Sequence, residues 1–371
     1  MKNTWVAALI VLAGLGGLAP VTADSAPSAR TRNVVLIVTD GLRWQEVFSG
    51  ADPLLLNDKA GGSWTPVQEL RQKYWHDDPK ERRRLLMPFL WGTVAARGQI
   101  YGNQQRGSRA EVTNDKWFSY PGYNEMLSGV ADPRIDKNEF GPNPNQTVFE
   151  WLNAQPGLAG KVEVFGTWNT FRDIFNVARS HLPVRAGATL LDPADNSARG
   201  QLLAELNRTT TALEPGDPYD SFLYEALADH LRTHQPRVLF VGFGDTDNWA
   251  HSGRYDAVLE AAHHVDEFIG RLWQQMQANP AYRDRTTFII TTDHGRGGGL
   301  SEWKEHGIEE QGSGNIWIAV IGPDTPPLGE RADVATVTQA QIAATVAAFV
   351  GRDYRKAKPA AAAALPVAPS L

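Results

Sequence analysis

Apolar and polar positions along this 371-residue chain alternate between two textures. Five short runs are apolar almost without interruption: Val34–Val38, Val162–Phe165, Val238–Phe243, Thr287–Thr291 and Ile316–Ile321. A strand covered on both faces has no solvent side to require polar residues, so such runs predict strands within a parallel sheet. Between them apolar residues recur at helical spacing. The clearest stretch is Asp256–Met276, where Val258, Leu259, Ala262, Val265, Ile269, Leu272 and Met276 share one face and Asn279-Pro280 ends the pattern. Thr147–Leu152 opens a helix after a Pro/Asn-rich turn, and Ser221–Leu231 forms another. A last helix runs to Val350, with Thr338 as its expected N-cap. Strands alternating with helices predict an α/β fold, a three-layer sandwich with a mostly parallel central sheet.

Two stretches break this rhythm. Residues 50–90 are charged and rich in Trp and Pro, and residues 170–220 carry Pro183, Pro193, Pro215 and Pro218. Both are read as insertions forming a cap near the site of a single catalytic domain over 24–355. Residues 356–371 are Ala/Pro-rich and are expected to be a disordered tail. At the other end, Lys2, the apolar run Trp5–Leu18 and the small residues up to Ala23 have the layout of a signal peptide over 1–23, cleaved after Ala23. The run is short for a membrane-spanning helix, and no second apolar stretch of that length follows. The expected location is therefore periplasmic or secreted, with no membrane span after cleavage.

Composition narrows the chemistry. The net charge of -6 gives no basic face for nucleic acid. The chain has no Cys, which excludes thiolate metal ligands, disulfides and a Cys nucleophile. Oligomeric state is not legible.

The acidic and imidazole residues that remain are clustered. Asp40 closes the first apolar run, Asp245-Thr-Asp247-Asn-Trp-Ala-His251 follows the third, Thr292-Asp293-His294-Gly295 follows the fourth, and His306-Gly307 lies before the last. In an open α/β sheet, ligands bind beyond the carboxyl ends of the strands. A lone Asp after a strand is usually a helix cap; four clusters at equivalent ends, three with His, point to a shared metal site. Asp247 and His251 are one helical turn apart and can face a single ion. Asp and His without Cys are ligands of hydrolytic zinc centres, and there are enough of them for two ions. A hydroxyl is also available: Ser119, in Trp117-Phe-Ser119-Tyr-Pro121-Gly-Tyr123, sits on a turn ahead of a short helix.

In this order the motifs resemble the alkaline phosphatase superfamily, and most closely its nucleotide pyrophosphatase/phosphodiesterase-like branch: a strand-end Asp, a hydroxyl nucleophile, Asp-x-x-x-His, Asp-His-Gly and a late His-Gly. The resemblance spans about residues 33–323. It implies two divalent ions, Zn²⁺ as the best fit and Mn²⁺ as a second. One would be held by Asp247, His251 and His306, the other by Asp40, Asp293 and His294, with Ser119 as nucleophile and a phosphoseryl intermediate. The implied activity is hydrolysis of a small-molecule phosphate ester, diester or monoester. The sequence departs from the branch at three places. Gly122 stands where a phosphate-contacting Asn is common, with Asn124 as the candidate substitute for substrate binding; Ala250 stands before His251 where Gly is common; and the nucleophile is Ser rather than Thr. Arg172 is a candidate monoester-binding cation, with a surface ion pair as the alternative. Sulfatase-like and phosphoglycerate mutase-like members of the superfamily are alternatives, and a non-catalytic metal-binding protein is a third. The sulfatase motif, Cys or Ser followed by x-Pro-x-Arg, has Tyr123 here in place of its Arg.

Overall fold

The computed structural model describes residues 1–2, 30–191 and 197–370. Among the described residues ten strands form two sheets: β1 (Asn33–Thr39), β2 (Gln99–Tyr101), β3 (Ala110–Glu111), β4 (Val162–Gly166), β5 (Val184–Ala186), β6 (Val238–Phe243), β7 (Thr286–Thr291), β8 (Ile318–Ile321), β9 (Gly329–Glu330) and β10 (Val337–Thr338). Eight of them build the central sheet in the order β5-β4-β6-β1-β7-β8-β2-β9, and β3 pairs with β10 apart from it. The five strands from β5 to β7 are parallel, and β8 reverses direction against β7. The last apolar run is thus strand only over Ile318–Ile321 and antiparallel. Its first residue, Ile316, instead donates to the carbonyl of Ala110.

Side chains alternate across β1 and build two cores, one on each side of the sheet. Val35 and Ile37 join a cluster with Leu223, Leu227, Leu259, Val265 and Leu272. Val34, Leu36 and Val38 join the other, with Tyr123, Phe149, Ile342 and Val346. The helices of the first layer include Asp220–Thr233 and Tyr255–Ala278; those of the second include Ser119–Ser128, Val148–Asn153 and Gln341–Phe349. This is the three-layer α/β sandwich that the pattern predicts.

Register is what positions the site. Thr39 of β1 lies opposite Phe243 of β6, and Val38 lies opposite Thr291 of β7. The three central strands therefore end level, and the residues just past them emerge side by side.

Several expectations fail, each for a packing reason. Residues 50–90 hold the helices Val67–Tyr74 and Pro79–Leu86, and Leu70 and Leu86 are fully buried in the first core. Most of their charged residues face outward, while Arg82 and Arg83 are buried against the carbonyls of Ser49 and Phe48, so the segment reads as polar although it is part of the helical layer and not a cap. Residues 170–220 contain helices Phe171–Ile174 and Ala198–Thr209 and the edge strand β5; only their end approaches the site. The tail also packs. Leu365 is 1% exposed, its N–H donates to Thr345 Oγ1 at 2.8 Å, and the N–H of Ala362 donates to the carbonyl of Gly129 at 3.0 Å. Composition alone suggested disorder, but its few apolar side chains, Ala361, Leu365 and Val367, are buried in the second core. Thr338 belongs to β10 and does not cap the last helix; its N–H is instead met by Gln341 Oε1 at 2.8 Å. The signal-peptide segment 1–23 lies outside the described residues apart from Met1 and Lys2. Among the described residues no helix is long and apolar enough to cross a membrane.

Candidate metal centre

Asp40 is the residue after β1, the helix Asp245–His251 begins just past β6, and Asp293-His294 begins two residues past β7. His306 comes from the loop ahead of β8. Their convergence is tight around the His294 ring. His294 Nε2 lies 3.3 Å from Asp40 Oδ1, 3.5 Å from Asp293 Oδ2 and 3.8 Å from Asp247 Oδ1. His306 Nε2 lies 3.8 Å from Asp247 Oδ1 and 2.9 Å from His251 Nε2, and His251 Nε2 lies 3.3 Å from Asp247 Oδ2. All six sequence-predicted ligands thus gather in one place. Asp40, Asp293 and His294 can hold an ion together, and so can Asp247, His294 and His306. His294 reaches both groups, whereas His251 joins the second through Asp247 and His306.

The orientation of each donor suits a cation. His294 Nδ1 is 2.8 Å from the carbonyl of Gly295, an acceptor that holds the proton there and turns Nε2 towards the carboxylates. Asp40 Oδ2 accepts from the Tyr123 hydroxyl at 3.0 Å, and Asp293 Oδ1 accepts from the N–H groups of Gly41 at 3.1 Å and His294 at 3.0 Å. The other oxygens, Asp40 Oδ1 and Asp293 Oδ2, are buried with no hydrogen bond among the described residues. Buried carboxylate oxygens without partners are costly, and a divalent cation between them removes the cost. The residues therefore fit a divalent metal.

Electrostatics carry the same strain. Burial, and then the charge of Asp247, pushes Asp40 above the usual carboxylate range; burial, and then Asp40, pushes Asp293 well above it. Burial disfavours charge on His294, yet Asp293, Asp40 and Asp247 raise it to about 9. Burial and the neighbouring His294 charge push His306 down to about 2. Burial also works against a charged Asp247, but the Arg296 guanidinium and the adjacent His residues hold it well below the ordinary range. In effect protons and Arg296 supply the positive charge that the carboxylates require.

Ser119 is the first residue of Ser119–Ser128, is 6% exposed, and places Oγ 3.3 Å from His294 Nε2. The turn before it is held from below. Trp117 adopts a left-handed φ of 55°, and Asn114 Oδ1 accepts from the N–H groups of Lys116 and Trp117 at 3.0 Å each. Glu125, fully buried one and a half turns along the helix, accepts from Thr113 N at 2.8 Å and Asn114 N at 2.7 Å. The hydroxyl is thus presented by strained, over-determined backbone at a helix N-terminus, a combination that favours an anionic group beside it.

Asn124 does not join the site. It is fully buried on the far side of the same helix, with Nδ2 on the carbonyl of Val130 at 3.3 Å and Oδ1 accepting from Asn145 at 3.0 Å. Position 122 cannot serve either: a Cβ on Gly122 would lie 2.6 Å from the Asp293 carbonyl oxygen. Arg172 lies away from the cleft, and its Nη1 donates to Thr189 Oγ1 at 3.3 Å. Sequence reasoning missed several participants. Arg296, 2% exposed, pairs with Asp247. Gly41, at φ +60°, leaves room for that pair, since a Cβ there would lie 2.6 Å from Asp247 Oδ1. Asn138 comes from the loop after the Ser119 helix, and its Oδ1 accepts from Tyr120 N at 3.0 Å. The cleft over Ser119, about 270 Å³, is also lined by Asn138, Thr167, Trp168, Glu214, Asp217 and Asn248. Arg296 stands directly after Asp-His-Gly and could have been read with that motif; nothing in the sequence marks Asn138.

A family model described as the Metalloenzyme superfamily matches residues 209–351. That segment carries Asp247, His251, Asp293, His294 and His306, and leaves out Asp40 and Ser119. No curated protein matches the chain. Among solved structures, a phosphonate monoester hydrolase, SpPMH, from Silicibacter pomeroyi is 13% identical at a TM-score of 0.50, over 87% of this chain and 74% of that one. A putative sulfatase from Bacteroides thetaiotaomicron VPI-5482 is 13% identical at 0.54, over 87% and 71%. The lipoteichoic acid synthase LtaP from Listeria monocytogenes is 12% identical at 0.51, over 88% and 73%. At these identities the likeness is one of fold. The nucleotide pyrophosphatase/phosphodiesterase-like branch is not singled out.

Proposed function

We propose that this chain, a hydrolase of the alkaline phosphatase superfamily, cleaves phosphate esters of small molecules through a phosphoseryl intermediate at Ser119. The observation that carries the reading is the Ser119 hydroxyl, buried at a helix N-terminus 3.3 Å from His294 Nε2, at the edge of two sets of metal-ligating residues. Asp40, Asp293 and His294 would hold one divalent ion, and Asp247, His251 and His306 a second. Zn²⁺ suits these donors best and Mn²⁺ is the second fit. Bound there, the ions would supply the positive charge that lowers the Ser119 pKa and offsets the phosphoryl oxygens.

The chain's own residues do the rest. Ser119 Oγ loses its proton and bonds to phosphorus while the bond from phosphorus to the ester oxygen breaks, releasing the alcohol with a proton. Water then attacks the phosphoserine, giving phosphate (or a monoester, from a diester) and restoring the hydroxyl. Tyr123 and Gly41 hold Asp40 and Asp293 in place throughout, and Arg296 holds Asp247. Asn138 spends Oδ1 on Tyr120 N, next to the nucleophile, which leaves its amide N–H groups in the cleft to donate to a phosphoryl oxygen. It takes the role first assigned to Asn124. Phosphate is favoured over sulfate by Tyr123. Where the sulfatase motif requires Arg, this side chain is buried with its hydroxyl committed to Asp40. The layout of residues 1–23 supports export to the periplasm or medium.

The test is a parallel rate comparison of the metal-loaded protein on p-nitrophenyl phosphate, bis-p-nitrophenyl phosphate, a phenyl phosphonate ester and p-nitrophenyl sulfate. At least one phosphorus ester should exceed the sulfate in kcat/KM by roughly a hundredfold or more; a faster sulfate ester would reverse the assignment. Asn138→Ala should lower kcat/KM on the best of these by about a hundredfold, the scale of one lost transition-state donor, with metal content unchanged. A loss of less than about twofold would remove Asn138 from the reaction.

A further inference from the structure

The cleft over Ser119 has an unbalanced charge. Asp40 and Asp247 on its floor belong to the metal-ligating sets, but Glu214 and Asp217, which also line it, belong to neither. They come from the segment just ahead of the helix Asp220–Thr233. Neither forms an ion pair among the described residues. Asp217 is tied to the turn after β4 by the N–H of Asn169, which donates to Oδ1 at 3.1 Å. Among the described residues lining the cleft there is no Lys or Arg. Arg296, buried beneath the site, is committed to Asp247. Away from the metal-ligating groups, the described lining offers an anionic leaving group two carboxylates and no cationic side chain.

The same turn supplies an aromatic surface. Trp168 is partly exposed in the cleft, and its indole is braced edge-on by Phe171 at 5.9 Å and by the tilted ring of Tyr123 at 6.3 Å between ring centroids. A braced indole beside two carboxylates attracts a cation through the ring quadrupole and through charge. The volume, about 270 Å³, lies at the small end for ligand pockets and suits a compact alcohol.

Resting on the phosphate-ester reading above, we propose that the leaving group is a cationic amino alcohol, its ammonium held between Trp168 and the Asp217 and Glu214 carboxylates while its phosphate meets Ser119. The balance is unchanged by this choice: the oxygen of the amino alcohol leaves phosphorus and takes a proton, and the ammonium keeps its charge throughout.

The test uses the full metal-loaded chain and two probes of equal shape, choline and its uncharged isostere 3,3-dimethyl-1-butanol. Each is titrated calorimetrically and as a competitor of whichever p-nitrophenyl ester is turned over. Choline should bind at least about tenfold more tightly than the isostere, the scale of a partly desolvated cation–π contact with charge beside it. That ratio should collapse towards one in the Asp217→Asn, Glu214→Gln double variant, and fall in Trp168→Ala. Equal affinities in the parent protein would overturn the proposal, as would a preference for choline that survives in the double variant, or tighter binding of glycerol than of choline. Calorimetry reads the cation site whether or not turnover occurs. A chain that cleaves no phosphorus ester yet binds choline would therefore leave the cation site standing while defeating the phosphate-ester reading and, with it, the leaving-group role.

Discussion

Ser119→Ala should reduce turnover of every phosphorus ester by at least about a thousandfold, because a covalent route that loses its nucleophile keeps only what binding and electrostatics contribute. Folding should not change. Among the described residues the hydroxyl's one hydrogen-bond contact is with His294, the turn before it is fixed by Asn114 and Glu125, and Ala is at least as good as Ser in a helix. Metal content should likewise survive, since none of the six carboxylate and imidazole groups is touched. Rapid acid quench of the parent enzyme during turnover should trap phosphate on the peptide carrying Ser119, and the variant should show none. A variant with near-normal rates would exclude Ser119, and trapped phosphate on another residue would move the nucleophile there.

Stripping the protein with a chelator should abolish activity and lower its thermal midpoint, and Zn²⁺ should restore both. Three carboxylates, Asp40, Asp247 and Asp293, approach within 4 Å of one imidazole nitrogen in a buried site. Without a cation, Asp40 and Asp293 are driven up by burial and by neighbouring carboxylates. The sign of the pH dependence follows. A carboxyl group raised in the folded state binds its proton more tightly there than in the unfolded chain. The stripped protein should therefore lose stability as pH rises from about 4 through the raised values. Metal binding displaces those protons, so affinity for metal should fall as pH falls. Ligand saturating the site at a thousand times its dissociation constant stabilises by about 4 kcal/mol, a shift readily seen by calorimetry. His306→Ala should weaken one ion more than the other, because His306 reaches only the group around Asp247. A stripped protein with unchanged midpoint and activity would contradict a metal-dependent site, and equal loss of both ions would contradict the division of ligands.

Much of this was legible in the chain before folding was considered. Apolar runs of strand length located the five main strands, because a doubly covered strand has no polar face to interrupt it. The helical stripe from Val258 to Met276 was equally plain, and so was the order of Asp40, Ser119, Asp247-x-x-x-His251, Asp293-His294 and His306. Segments whose polarity is one-sided or whose apolar content is sparse were misread. The 67–86 helices bury only Leu70, Tyr74, Arg82, Arg83 and Leu86, and the Ala/Pro-rich tail is anchored by a few side chains such as Leu365. Composition averages such residues away, whereas packing depends on where each one lands.

The site divides along the same line. The sequence by itself determined which groups could bind metal, since ligand chemistry belongs to residue type and strand-end placement follows from periodicity. Only the tertiary structure decided how they are shared and supported. The level endings of β1, β6 and β7 bring Asp40, Asp247 and Asp293 onto one imidazole. Gly122 is closed by the Asp293 carbonyl, Asn124 is turned into the core, and Asn138 reaches Tyr120 N, beside Ser119, from another loop. Trp168, Glu214 and Asp217 meet in the cleft from segments about 50 residues apart, with Asp217 bonded to Asn169 across that gap. Spacing along a chain reports neighbours within one element; contacts between elements depend on register and packing, which no local pattern encodes.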